Sequence, residues 1–417
     1  MNTRNKIITL IALICLGFLP LSAVQAAKIG KNSCGGTEVP NEYCSFQGDN
    51  ESITIGSNSC NIEGSCMDLG NGVTIGSNSC NGEDACGYIG AAGGMAVIGN
   101  GSCNSYSACE YAGEDGEAEI GNNACNSSDS CEGAGYYSGK ATIGANACSG
   151  PEACYYSGYN GGEITVGAGS CIGYESCYYA ANGSGATLEI DKGSCTGAYA
   201  CYYTAYDGGM AEIDKGSCNG YEACEYLAYE GTATIGQKSC NGGYACYYAA
   251  YDNDTSLVVG KDSCNGGDGS CYYTAYEGTA TIGDKSCKGD WACYYAAGYG
   301  GEATIGKGSC IGYDACEYAG YYGDATIGDK SCNNEWACYG VAYSDDDPGT
   351  VSSEVGDKSC NGFEACYYAG EDYDSVIGDG SCNNYESCEY VGVDSEETIG
   401  DKECNDVQEC RNEAEDS

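Results

Sequence analysis

The chain has 417 residues, and 61 acidic against 16 basic side chains give a formal charge of −45 with no histidine. That charge excludes nucleic acid, whose phosphates need basic patches, and it excludes an anionic membrane surface by the same repulsion. Three Phe and two Trp against 68 Gly and 40 Tyr exclude an ordinary globular core.

Residues 1–26 read as a signal peptide. Arg4 and Lys6 give a positive start, Ile7–Leu19 is apolar, and Val24-Gln25-Ala26 supplies a small-residue cleavage site. The apolar run is short for a membrane span, which needs about 20 residues. Ile14 before Cys15 argues against a lipid-anchor cysteine. The mature chain is expected to begin near Ala27 without a transmembrane anchor, and loss of Arg4 and Lys6 takes the formal charge from −45 to −47. Without Cys15, the 35 cysteines become 34, an even number behind an export signal, which implies disulfides. Soft-metal clusters are the rival, disfavoured by the oxidising route and the missing histidines. The expected location is exported: extracellular, cell surface or periplasm.

Residues 27–51 hold Cys34 and Cys44 at a spacing unlike the rest and are expected to form an N-terminal cap. Residues 52–402 repeat one unit about sixteen times, as in Ala303–Asp324, ATIGKGSCIGYDACEYAGYYGD. A period of this length implies a solenoid, propeller or array. The cysteine pairs of the units are Cys60 and Cys66, Cys80 and Cys86, Cys103 and Cys109, Cys125 and Cys131, Cys148 and Cys154, and Cys171 and Cys177. They continue through Cys195 and Cys201, Cys218 and Cys224, Cys240 and Cys246, Cys264 and Cys271, and Cys287 and Cys293. The last are Cys310 and Cys316, Cys332 and Cys338, Cys360 and Cys366, Cys382 and Cys388, and Cys404 and Cys410. The near-constant spacing favours bridges within a unit, while bridges between stacked units also meet the distance limits.

A β-branched aliphatic residue opens every unit, from Ile55 to Ile399, and reads as an inward strand position. The residue before it, usually Thr and in places Glu, should face water. Gly follows, except at Asp191 and Asp214. Period-two patterning around the second cysteine predicts an outward position just after it and an inward or rim position for the next Tyr. Asn219-Gly220, Asn241-Gly242 and Asn361-Gly362 mark the corner between the cysteines. These columns predict an all-β single β-solenoid of 22–23-residue coils with three short strands per coil, stapled by disulfides. At about 4.8 Å per coil the rod is roughly 75–80 Å long. An acidic loop, Asp345–Asp347, bulges from one corner, and residues 403–417 form a C-terminal cap and acidic tail.

On its stacked Cys, Thr and small-residue columns over residues 52–410, the chain resembles cysteine-laddered β-solenoids, of which insect antifreeze proteins are the best-known small example. The period here is nearly twice theirs and their Thr-Cys-Thr motif is missing, so the resemblance implies fold and disulfides above function.

Without histidine the Ser-His and Cys-His nucleophiles are excluded, and carboxylates recur without a unique cluster, so no enzyme is expected. No cofactor is expected either, beyond weak Ca2+ binding at acidic corners such as Glu152, Glu175, Glu222, Asp314, Glu364 and Glu386. Asp-Lys pairs such as Asp284-Lys285, Asp329-Lys330 and Asp357-Lys358 should offset repulsion along one edge. The Thr column, including Thr234, Thr281, Thr304 and Thr326, is the candidate ice-binding face. Tyr155, Tyr178, Tyr202, Tyr247, Tyr272, Tyr294 and Tyr367 form an exposed candidate binding file, with Tyr206, Tyr229, Tyr251 and Tyr276 near the next corner. Amphipathic rings repeated along a rod suit multivalent contact with glycan or protein surfaces. The expected function is therefore that of an exported structural or adhesive protein. Ice binding and a calcium-binding matrix role are the alternatives, and self-association is allowed for.

Overall fold

The computed structural model describes residues 27–410 apart from 37–40, 48–51, 92–93, 137–139, 156, 160–162, 179, 181–186, 203, 205–209, 226, 228–231, 248, 250–254, 273, 275–277, 295, 297–300, 318, 320–323, 342–351, 370–372 and 392–395. The expected signal peptide, the Asp345–Asp347 loop, the end of the tail and Tyr206, Tyr229, Tyr251 and Tyr276 lie outside the described residues.

The chain is an all-β parallel solenoid. Among the described residues seventeen short strands stack into one parallel sheet, beginning with Lys28–Ile29 and ending with Glu397–Ile399. The repeat supplies sixteen of them, and the additional strand comes from the N-terminal segment, whose Lys28 and Ile29 pair with Thr54 and Ile55. Residues 27–47 therefore carry the first rung of the stack. A small second sheet joins Cys44–Phe46 to Cys66–Leu69.

Each strand alternates faces as its sequence demands. In Thr232–Ile235 the two Thr point out and Ala233 and Ile235 point in. Neighbouring strands hold this register without slipping, so Ile213, Ile235 and Val259 lie in one buried column. A one-residue shift would carry that column to the solvent face.

The rest of the coil is made of turns. Among the described residues no strand forms around the first cysteine, whose backbone is left-handed in every unit. Around the second cysteine strands form only at Cys44–Phe46 and Cys66–Leu69, and from Cys154 on the second cysteine is left-handed as well. Cys171, for example, has φ 52° and Cys177 φ 61°. These turns still form inter-coil ladders, as where the Cys240 N–H donates to the Ser263 carbonyl at 3.0 Å. Of the expected Asn-Gly corners, Gly220 and Gly242 do adopt positive φ, 157° and 153°. Gly362 instead serves close approach, since a Cβ there would meet the Asn384 carbonyl oxygen at 2.1 Å. The Gly after the Ile column has the same cause: a Cβ on Gly56 would lie 2.5 Å from the Gly76 carbonyl carbon.

All cysteines from Cys34 to Cys410 are disulfide-bonded, and each bridge joins the two cysteines of one unit. Sulfur, Ile and Ala fill the interior, with Cys195, Cys201 and Ile190 fully buried. The serine before the first cysteine adds a buried hook. Ser239 Oγ donates to the Gly260 carbonyl of the next coil at 2.7 Å and accepts the Ser263 N–H at 3.1 Å. Such hooks satisfy polar groups that burial would otherwise penalise.

Candidate aromatic and acidic surface

The Tyr file behind the second cysteine is half-buried, not the open column that its variability suggests. Tyr155 stacks on Tyr178 at 5.3 Å and Tyr178 on Tyr202 at 5.3 Å, with interplanar angles of 8° and 11°. Tyr247, Tyr272 and Tyr294 form a second stack at 5.1 Å per step, and Tyr339 and Tyr367 a third at 5.0 Å. Within a stack the ring faces meet one another, so edges and hydroxyls are what remain for solvent. The cause is the parallel register: identical residues one rung apart lie at nearly the ring-stacking distance.

The more open aromatic surface is the corner between the two cysteines of a unit. Tyr174, Tyr221, Tyr313 and Tyr385 are exposed there, as is Tyr106 in an earlier coil. Between them stand Tyr199, Tyr244, Trp291 and Trp336, half-buried. Successive rings meet edge to face: Tyr174 and Tyr199 at 5.5 Å, Tyr199 and Tyr221 at 6.0 Å, Tyr221 and Tyr244 at 5.6 Å. This ridge is missing from the sequence-derived candidates. Its signal is an aromatic at the third or fourth position after the first cysteine, which alternates between units and so blurs the column.

Acidic residues interleave with this ridge. Glu225, Glu317 and Glu389 take the place of Tyr in the stacked file, and each lies three residues after a corner carboxylate: Glu222, Asp314 and Glu386. Glu225 is 7% exposed and hydrogen-bonds Glu222, while its Oε2 has no partner among the described residues. Burial, and then the neighbouring Glu222 charge, push the Glu225 carboxyl well above the usual range. Burial followed by Asp314 raises Glu317 to about 8, and burial followed by Glu335 and Asp290 raises Asp314 to about 6. Glu132 is raised to about 7 by burial and then by Glu110. Desolvation dominates throughout, as it must when carboxylates sit among rings with no nearby cation. Tyr221 follows the same field, pushed up to about 12 by its bond to Glu222 and by burial.

The expected Asp-Lys compensation is nearly absent. Among the described residues Lys307 meets Asp284 of the previous coil at 3.7 Å, and Lys140 meets Glu163 across the sheet face at 3.8 Å. The corner aspartates instead accept backbone N–H groups from the coil before. Asp357 Oδ1 takes Asp329 N–H at 2.8 Å, and Asp379 Oδ1 takes Asp357 N–H at 2.8 Å. The stacked backbone of the preceding coil, and not the adjacent Lys, is the partner within hydrogen-bond reach of these carboxylates.

The Thr file is outward, as expected. Thr281, Thr304 and Thr326 occupy three consecutive strands in register, between Val258 and Glu354. Thr234 lies beyond Val258 and is half-buried. Of the acidic corners considered for calcium, Glu175 and Asp314 are buried, and Glu152, Glu222, Glu364 and Glu386 are half-buried.

A family model described as a domain of unknown function (DUF7640) matches the chain three times, at residues 134–230, 186–267 and 228–320. The matches overlap, in keeping with an array of like units. No curated protein and no solved structure matches the chain.

Proposed function

We propose that the protein is an exported structural rod that attaches to extracellular surfaces through its corner ridge of aromatic and acidic side chains. The observation that carries this reading is the set of exposed rings at Tyr106, Tyr174, Tyr221, Tyr313 and Tyr385, repeated on a scaffold that one disulfide per coil holds in register. Exposed aromatics at that density favour contact with a partner, and repetition multiplies weak contacts. Disulfide pairing throughout suits an oxidising compartment. The test is retention of the oxidised protein on insoluble glycans and cell surfaces. Replacing these five corner tyrosines by Ser should abolish retention, and unchanged retention would remove the ridge from the reading.

The run Thr281, Thr304, Thr326 favours ice binding as a second reading, since a flat, in-register Thr array can order water. Recrystallisation inhibition lost with Thr304→Glu and Thr326→Glu would establish it. Exclusion from ice would retire it.

A further inference from the structure

The carboxyl pairs inside the aromatic ridge repeat as a unit. Glu222 and Glu225 lie on one coil, behind exposed Tyr221. The coil before supplies Tyr199 and Tyr202, in contact edge to face at 5.3 Å, and the coil after supplies Tyr244 and Tyr247 at 5.4 Å. Both corner rings, Tyr199 and Tyr244, feel the charges of Glu222 and Glu225. Asp314 and Glu317 sit behind Tyr313 in the same way, between Trp291 with Tyr294 at 4.8 Å and Trp336 with Tyr339 at 5.2 Å. The two units are four coils apart, roughly 19 Å at the strand spacing.

We propose that each of these units, Glu222 and Glu225 with Tyr199, Tyr221 and Tyr244, and Asp314 and Glu317 with Trp291, Tyr313 and Trp336, binds an N-alkylated ammonium group. The inference deepens the adhesive reading by naming the chemistry of the ligand. Three features converge. Glu225 is more than nine-tenths buried, turned onto Glu222, and has an Oε2 without a partner among the described residues, a deficit that native interiors rarely leave uncompensated. Aromatic rings flank the pair on the coils before and after, and ring quadrupoles attract cations within about 6 Å. The chain carries a formal net charge of −45 with two ion pairs among the described residues, so a cationic partner is the complementary one. An alkylated ammonium fits better than a primary one. Its weak hydration lowers the cost of entering a desolvated, ring-walled site, where it can stabilise the carboxylate, whereas a primary ammonium stays strongly hydrated.

The test compares retention of the oxidised full chain on a choline-substituted resin, on the same resin bearing aminoethyl groups, and on one bearing neutral 3,3-dimethylbutyl groups. Preferred retention on choline, with elution by free choline, is the expected result. Glu222→Gln with Glu225→Gln, combined with Asp314→Asn and Glu317→Gln, should weaken it about tenfold, the size of one desolvated cation contact. Glu189→Gln with Glu212→Gln removes charge from the sheet face and should leave retention unchanged. Should the quadruple variant fold poorly, Tyr221→Ser with Tyr313→Ser gives the same reading. Equal loss in the sheet-face control, stronger retention on aminoethyl groups, or equal retention on the neutral resin would each overturn the proposal. Glycan or cell-surface retention that persists beside any of these results leaves the adhesive reading standing; loss of that retention as well sinks both.

Discussion

The coils from Thr54 to Gly135 and those after Lys140 share one outward-inward strand and one disulfide, but they take the second corner differently. In the earlier coils the N–H groups of Cys86, Cys109 and Cys131 donate backward, to Ser65, Ala85 and Ala108 of the preceding coil. From Cys154 to Cys338 the same N–H donates forward, as from Cys154 to Ser176 and from Cys177 to Ala200, and the cysteine itself becomes left-handed. In the last coils Tyr368 and Tyr390 again donate backward, to Tyr339 and Tyr367. The first reversal falls at the junction between Cys131 and Cys154. The serine hook is also missing there, because Ala124 and Ala147 stand in the serine position. The stacked Tyr file begins at the same point, with Tyr155, after Gly87, Glu110 and Glu132 in the earlier coils. Later coils that carry Glu in place of Tyr keep the later form, with φ 59° at Cys224 and 63° at Cys316. Each coil's donors must meet its neighbour's acceptors, so conformation is set by the neighbour as much as by local sequence, as expected of a one-dimensional stack.

The largest effect should come from removing one bridge in each region. Cys103→Ala with Cys109→Ala takes out a disulfide where Glu110 stands in place of the ring directly after the second cysteine, and Tyr111 stacks on Tyr88 more loosely, at 5.7 Å. Cys287→Ala with Cys293→Ala takes one out where Tyr294 stacks on Tyr272 at 5.1 Å and meets Trp291 at 4.8 Å. Loop entropy alone is worth about 2 kcal/mol for a closure this short, and the lost sulfur packing adds to it. Local opening measured by hydrogen exchange should therefore rise more in the earlier region. Equal losses would mean that the ring file directly after the second cysteine contributes nothing to holding a coil.

The contrast also separates what was legible in the sequence from what was not. The Ile column and the outward Thr follow from period and spacing, because strand alternation leaves little choice, while pairing within units was only favoured by the near-constant spacing over pairing between coils. The corner ridge was hidden because Tyr221 and Tyr199 sit at different positions in their turns yet come together in space. The Tyr155 file was legible as a column, but not as a stack: variability suggested exposure, while the rung spacing brings successive rings face to face. The buried hook of Ser239 was visible only as a recurrent Ser-Cys. Three strands per coil were expected because alternation around Ala-Cys-Tyr-Tyr mimics a strand, whereas the cysteines lie in left-handed turns.

A smaller effect tests whether the junction is the weak point. Ala124→Ser and Ala147→Ser should restore the hooks and slow exchange between residues 124 and 154, by about 1 kcal/mol per bond. Ser239→Ala should speed exchange around Gly260 by a similar amount, because it removes both a donor and an acceptor inside the stack. If wild-type exchange is no faster at the junction than around Ser239, the hooks do not set local stability.

The smallest effect distinguishes the regions by pH. Glu317 is raised to about 8 by burial and then by Asp314, and Glu225 is raised by burial and then by Glu222. An unfolded glutamate titrates near 4.3. Between those values the folded chain binds more protons than the unfolded one, so its stability is fully present at low pH and declines as pH rises through the folded value. Glu132 of the earlier coils is raised only to about 7, so its decline ends sooner. Exchange in the later coils should therefore keep accelerating up to about pH 8 after correction for the intrinsic rate, while the earlier coils level off first. Glu225→Gln with Glu317→Gln should flatten the later profile and leave the earlier one in place. A wild-type profile flat from pH 5 to pH 8 in both regions would show that these carboxyls ionise freely inside the stack, and the later coils would then owe their form to the rings alone.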